Sequence, residues 1–173
     1  MRSPLHFLLA ACVLALAACS TGPLQTASDA TVTFIVVRHA EKAADDTRDP
    51  SLTDAGRARA AALAALLQPR DVVAAYATAF RRTQSTASPA ATAHGVAVTT
   101  YDADEPATAF AGRVRHDHAA GTVLIVGHSN TVPGIVSALC TCEVAPIDES
   151  DYGNLYEIRI TGDDAPILAQ RRY

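Results

Sequence analysis

The sequence predicts a single α/β layered domain built on a mostly parallel sheet, and three observations carry that prediction. Apolar runs rich in β-branched residues recur along the chain, Thr31 to Val37 and Thr122 to Val126 above all. They are nearly continuous rather than alternating, as expected of strands buried on both faces. Between them lie segments with apolar residues at helical spacing. Polar, chemistry-bearing residues stand directly after the runs, where open parallel sheets place their ligands.

The elements follow in order. Residues 31–37 form the first strand, which ends at Arg38-His39. A polar loop runs to Pro50, and Thr53-Asp54 opens a helix whose Ala60, Leu63, Leu66 and Leu67 share a face until Pro69 closes it. Asp71 to Ala77 is a second strand, and Arg81 to His94 a helix stopped by Gly95. A short strand, Val96 to Thr100, precedes a helix from Pro106 to His118. Then come the strand Thr122 to Val126 and the helix Thr131 to Leu139; Leu155 to Thr161 and Pro166 to Arg171 close the chain as strands. This rhythm describes a three-layer sandwich, with helices on both faces of the sheet.

Residues 1–18 read as a secretory signal: one basic residue (Arg2), no acidic one, and an apolar run from Leu8 to Ala18. The run is too short to cross a membrane, which takes about 20 residues. Its ending, Leu16-Ala17-Ala18-Cys19, resembles the bacterial lipobox, which implies that Cys19 is acylated and begins the mature chain. Residues 19–30, small and polar, are then a tether, and 31–173 the domain. Removing 18 of 173 residues leaves 155, enough for one real core. With Arg2 gone, 13 basic residues face 18 acidic ones, a net charge of −5 that excludes nucleic-acid binding by bulk charge. Of the remaining cysteines, Cys140 and Cys142 are two residues apart; so tight a loop disfavours a bridge, and two ligands are too few for a metal.

The strand ends hold the chemistry. Arg38 and His39 follow the first strand; Thr78 and Arg81-Arg82 follow the second; Gly127-His128-Ser129-Asn130 follow the fourth. Singly, each has a plain reading as a surface pair, a hydrogen-bonded histidine or a solvated helix turn. Together they put two histidines and at least two arginines on one crevice. Guanidinium forks and helix N-termini suit phosphate oxygens, and a histidine among them can attack phosphorus or move protons.

Four segments then carry a resemblance. Val36 to Lys42, containing Arg38-His39-Ala40-Glu41, is similar to the Arg-His-Gly/Ala signature of the histidine phosphatase superfamily, with its phosphoglycerate mutase-like fold. Leu52-Thr53-Asp54-Ala55-Gly56 resembles its Leu-Thr-x-x-Gly segment, and Arg82 to Ala87 its Arg-x-x-Gln-Thr-Ala helix, with Ser85 where Gln is usual. Val126 to Thr131 resembles its second-histidine motif. The likeness spans about residues 31–171. It implies a phosphomonoesterase in which His39 is the nucleophile, Arg38 and Arg82 clamp the phosphoryl oxygens, and His128 and Ser129 bind them too. It also implies that no metal or cofactor is needed, and that the partner is a small phosphorylated substrate. Glu105, with Asp102 and Asp104 beside it, stands where larger members of that family keep a proton donor. The chain is short for a mutase, which favours a phosphatase.

Other readings fare worse. A serine hydrolase would need a histidine after Ser129, and His128 is the last in the chain. His116 and His118 on a helix would point apart, so they suit a solvated helix end better than a metal site. The acidic residues Asp45, Asp46 and Asp49 read as surface. A non-catalytic phosphate-binding lipoprotein of the same fold is the remaining alternative. The lipobox implies an envelope location facing the periplasm, and Ser20 after Cys19 favours the outer membrane.

Overall fold

A computed structural model describes residues 30–173; the proposed signal, Cys19 and the tether as far as residue 29 lie outside the described residues. Ten elements alternate: β1 (Thr31–Arg38), α1 (Asp54–Leu67), β2 (Val72–Thr78), α2 (Arg81–Ala93), β3 (Val98–Tyr101), α3 (Ala107–Asp117), β4 (Gly121–Gly127), α4 (Val132–Cys140), β5 (Asn154–Thr161) and β6 (Ile167–Arg172). One sheet holds all six strands in the order β3-β2-β4-β1-β5-β6. The first four pair in parallel, whereas β5 and β6 run antiparallel to their neighbours.

Strand alternation decides the layers. On β1, Val32, Phe34 and Val36 face one way, into a core with Tyr76, Val123 and Ile125 and the α3 and α4 residues Phe110, Val114, Ile135 and Leu139. Ile35 and Val37 face the other way, against Leu63 and Leu67 of α1 and Ala87 and Ala90 of α2. The central strands bury both faces, so their apolar runs are continuous, as expected. Each fully buried Phe, Leu or Ile there is stabilised by roughly 1.5–3 kcal/mol from water exclusion.

Chain order sets the crevice. From β1 the chain skips over the place β4 will take, reaches β2 and β3, and then returns to fill the gap. The carboxyl ends of β1, β2 and β4 therefore lie side by side at the point where the winding reverses.

One expectation is corrected. Cys140 and Cys142 are joined in a disulfide, with Cα atoms 5.2 Å apart. Thr141 between them takes a left-handed φ of 53° as it ends α4. That turn brings the two Cα atoms within ordinary bridging range despite the short loop.

Candidate active site

The loop after β1 is fixed before it does any chemistry. Thr53 caps α1 by accepting the Gly56 N–H on Oγ1 at 3.0 Å, and its own N–H donates to the Glu41 carbonyl at 2.9 Å. A Cβ on Gly56 would come within 2.4 Å of that carbonyl, so only glycine lets α1 lie this close. Arg59 grips the Glu41 carboxylate at 2.6–3.0 Å, which makes Glu41 a strut rather than a participant. From α2, Thr86 accepts the Ala40 N–H at 3.0 Å. The His39 N–H donates to the Gly127 carbonyl at 2.9 Å, tying the end of β1 to that of β4.

His39 is 3% exposed, and its Nδ1 lies 2.8 Å from the Ala40 carbonyl. A carbonyl can only accept, so Nδ1 carries the proton and Nε2 keeps its lone pair. Burial, and secondarily the Arg38, His128 and Arg82 charges, outweigh the Ala40 hydrogen bond and pull the His39 pKa to about 3. The ring is thus neutral at ordinary pH, with Nε2 unprotonated.

His128 is set by a chain of hydroxyls. Thr83 Oγ1 lies 2.8 Å from the Phe80 carbonyl, Thr78 Oγ1 2.8 Å from Thr83 Oγ1, and His128 Nε2 3.0 Å from Thr78 Oγ1. Because the carbonyl must accept, every donor points the same way: Thr83 to Phe80, Thr78 to Thr83, His128 Nε2–H to Thr78. His128 Nδ1 is left as an acceptor, 3.4 Å from Arg82 Nη2. Burial first, then Arg82 and Arg38, lower its pKa to about 4. The two imidazole centroids are 5.4 Å apart. Gly127 lets this turn close, since a Cβ there would meet Thr131 Oγ1 at 2.8 Å and the Tyr101 hydroxyl at 2.9 Å.

Arg82 lies over the Phe80 ring at 4.3 Å, with Asp49 3.8 Å from Nη1. Its Nε and Nη1 hydrogens are buried without a hydrogen-bond partner among the described residues, and burial lowers its pKa. Unpaired buried guanidinium donors cost folding energy, and an anion arriving beside them recovers it. Asp49 also caps α2 by accepting the Arg81 N–H at 2.8 Å, so this acidic residue is part of the scaffold. Arg81 turns towards Asp45 and Asp49, away from the cavity.

A cavity of about 260 Å³ opens over these groups, lined by His39, Arg82, His128 and Ser129 with Lys42 and Glu149 at its side. Arg38 is buried beneath it rather than lining it. Arg38 Nη1 donates to the carbonyls of Asp148 and Glu149, both at 2.9 Å, and of Asp151 at 3.1 Å; Nη2 reaches the Glu149 carboxylate at 3.1 Å. Its guanidinium also lies 4.3 Å from the Tyr152 ring centre.

The structure brings His39, Arg82, His128 and Ser129 together around one cavity, with Arg38 buried beside them. Glu105 is a correction: Arg113 on α3 holds its carboxylate at 2.7 Å, and it faces a neighbouring hollow with Tyr101 and Phe110. Asp104 is the acidic residue of that loop that lines the cavity. His118 does not form a solvated helix end, since its Nε2 lies 2.8 Å from the Tyr76 hydroxyl. Sequence reasoning missed Glu149, Tyr152 and Phe80, and left Lys42 without a role. Lys42 was within reach, three residues after His39 in the same motif.

A six-stranded, mostly parallel sheet flanked by helices is the fold of phosphoglycerate mutase-like neighbours. The family model of the histidine phosphatase superfamily (branch 1) matches residues 34–105, which include Arg38, His39 and Arg82. Three solved structures share the fold. The protein histidine phosphatase SixA complexed with tungstate superposes with a TM-score of 0.64 at 16% identity, over 81% of this chain and 96% of that one. The mycobacterial glucosyl-3-phosphoglycerate phosphatase does so at 0.62 and 14%, over 80% and 97%. The phosphoglycerate mutase from Bacillus anthracis str. Sterne does so at 0.61 and 13%, over 83% and 94%. No curated protein matches the sequence. The family model thus covers the first half of the domain, and the solved structures share its phosphoglycerate mutase-like fold.

Proposed function

We propose that the protein is a phosphomonoesterase that works through a phosphohistidine on His39 and acts on a small phosphorylated substrate. The observation that carries this is the Nδ1–H of His39 on the Ala40 carbonyl, which leaves a neutral Nε2 lone pair facing the cavity beside the unpaired Arg82 donors. Nε2 attacks phosphorus in line while the ester oxygen leaves; Arg82, oriented by the acceptor Nδ1 of His128, and Lys42 neutralise the charge on the phosphoryl oxygens. Asp104 is the candidate to protonate the leaving group, and water then opens the phosphohistidine to give phosphate. That the SixA neighbour binds tungstate, a phosphate-like oxyanion, supports a ligand of that class for this fold.

A generic aryl phosphate assay tests the reading. His39→Ala should lower turnover on the order of a thousand-fold or more, and acid-quenched wild type should hold label from a phosphorus-labelled substrate. Turnover that survives His39→Ala overturns it. We further propose an envelope lipoprotein, supported by Leu16-Ala17-Ala18-Cys19 after the apolar run. Palmitate labelling that persists in Cys19→Ser would refute that placement.

A further inference from the structure

The Glu149 side chain is 71% exposed, yet its carboxylate turns into the cationic site. One oxygen accepts from the Ser129 hydroxyl; the other accepts from Arg38 Nη2 at 3.1 Å and lies 3.9 Å from Lys42 Nζ. Fixing a glutamate in one rotamer costs side-chain entropy, which these three contacts offset. A carboxylate and a phosphoryl group present the same two-oxygen edge to a guanidinium and a hydroxyl. We propose that Glu149 is a built-in anion that competes with phosphoryl groups for Ser129, Arg38 and Lys42, and so sets the affinity of the site.

The backbone here stays put, because Arg38 Nη1 holds three carbonyls of residues 148–151 independently of the carboxylate. Rotation of one side chain therefore opens the site. The Ser129 hydrogen bond, with Arg38 and Lys42, holds the carboxyl below its usual range, so the group is an anion and not a proton donor. Competition multiplies the affinity of every anion by the same fraction, that of the time the carboxylate is out. Weak, abundant anions then fail to occupy the site, and product phosphate leaves as Glu149 returns.

The proposal rests on the phosphatase reading only for the nature of the ligand, so binding is measured apart from turnover. Calorimetric titration of the purified protein with inorganic phosphate should show about ten-fold tighter binding in both Glu149→Gln and Glu149→Ala, as for a site open a tenth of the time. Asp148→Asn, which removes the same charge one residue away, should change the affinity less than two-fold. Unchanged or weaker phosphate binding in the Glu149 variants overturns the proposal. So does equal tightening in Asp148→Asn, which would assign the effect to bulk charge. A hundred-fold fall in kcat with unaltered phosphate affinity would make Glu149 a proton-transfer group and overturn it as well. If tighter phosphate binding comes without aryl phosphate turnover, the competitor stands and the phosphatase reading falls.

Discussion

Thr78 decides which nitrogen of His128 faces the cavity. Its hydroxyl accepts the Nε2–H because it has already spent its own hydrogen on Thr83. Thr78→Val keeps the shape and removes the acceptor, leaving a buried N–H unpaired at about 1–3 kcal/mol. We expect a lower Tm and a kcat reduced about ten-fold with KM little changed, as for a positioning residue. Steady-state kinetics beside a thermal melt check this, and a rise in KM alone would refute it. Residues of this kind were only partly legible. Arg38, His39, Arg82 and His128 could be read because each follows a buried strand or opens a helix, and strand ends are visible in sequence. Glu149 could not, because nothing near it in sequence says that a loop will fold back over Arg38.

Among the elements, the loop from His39 to Leu52 depends most on its neighbours. It is held by Thr53, Arg59 and Thr86, and by the absence of a side chain at Gly56. Gly56→Ala would push the Glu41 carbonyl away and shift His39 with it. We expect a loss of about 1–3 kcal/mol, as for overpacking in a filled region, and a fall in kcat although residue 56 touches no substrate. Urea unfolding and kinetics on one preparation measure both, and a fully stable, fully active variant would show that the loop is not so constrained. All ten elements were legible from strand runs, caps and closing prolines. What was not legible was contact between elements: Arg113 captures Glu105 from two turns along α3, and a left-handed Thr141 closes the Cys140–Cys142 bridge.

For the whole molecule, burying two neutral imidazoles makes stability depend on pH. In the unfolded chain both histidines take up protons near their ordinary value of 6.5; folded, they do so at about 3 and about 4. Their contribution is complete above pH 6.5 and is lost as pH falls towards 3, by at most about 1.4 kcal/mol per pH unit for each ring. Glu41 and Glu157, held low by Arg59 and Arg70, lose theirs only nearer pH 4. The urea midpoint should therefore fall between pH 7 and 5, and fall less in His39→Asn/His128→Asn. An equal fall in that variant would assign the loss elsewhere.

The acceptors of Arg38 lie 110 to 113 positions further along the chain. During synthesis, β1 emerges long before β4, β5 or the carbonyls of residues 148–151 exist. Loop closure over such a span is slow compared with helix formation or a hairpin. The candidate site is consequently among the last features to assemble, and a ribosome-bound or unfolded chain lacks it. If the site binds phosphate as proposed, that binding should trail the recovery of helical signal in a refolding experiment.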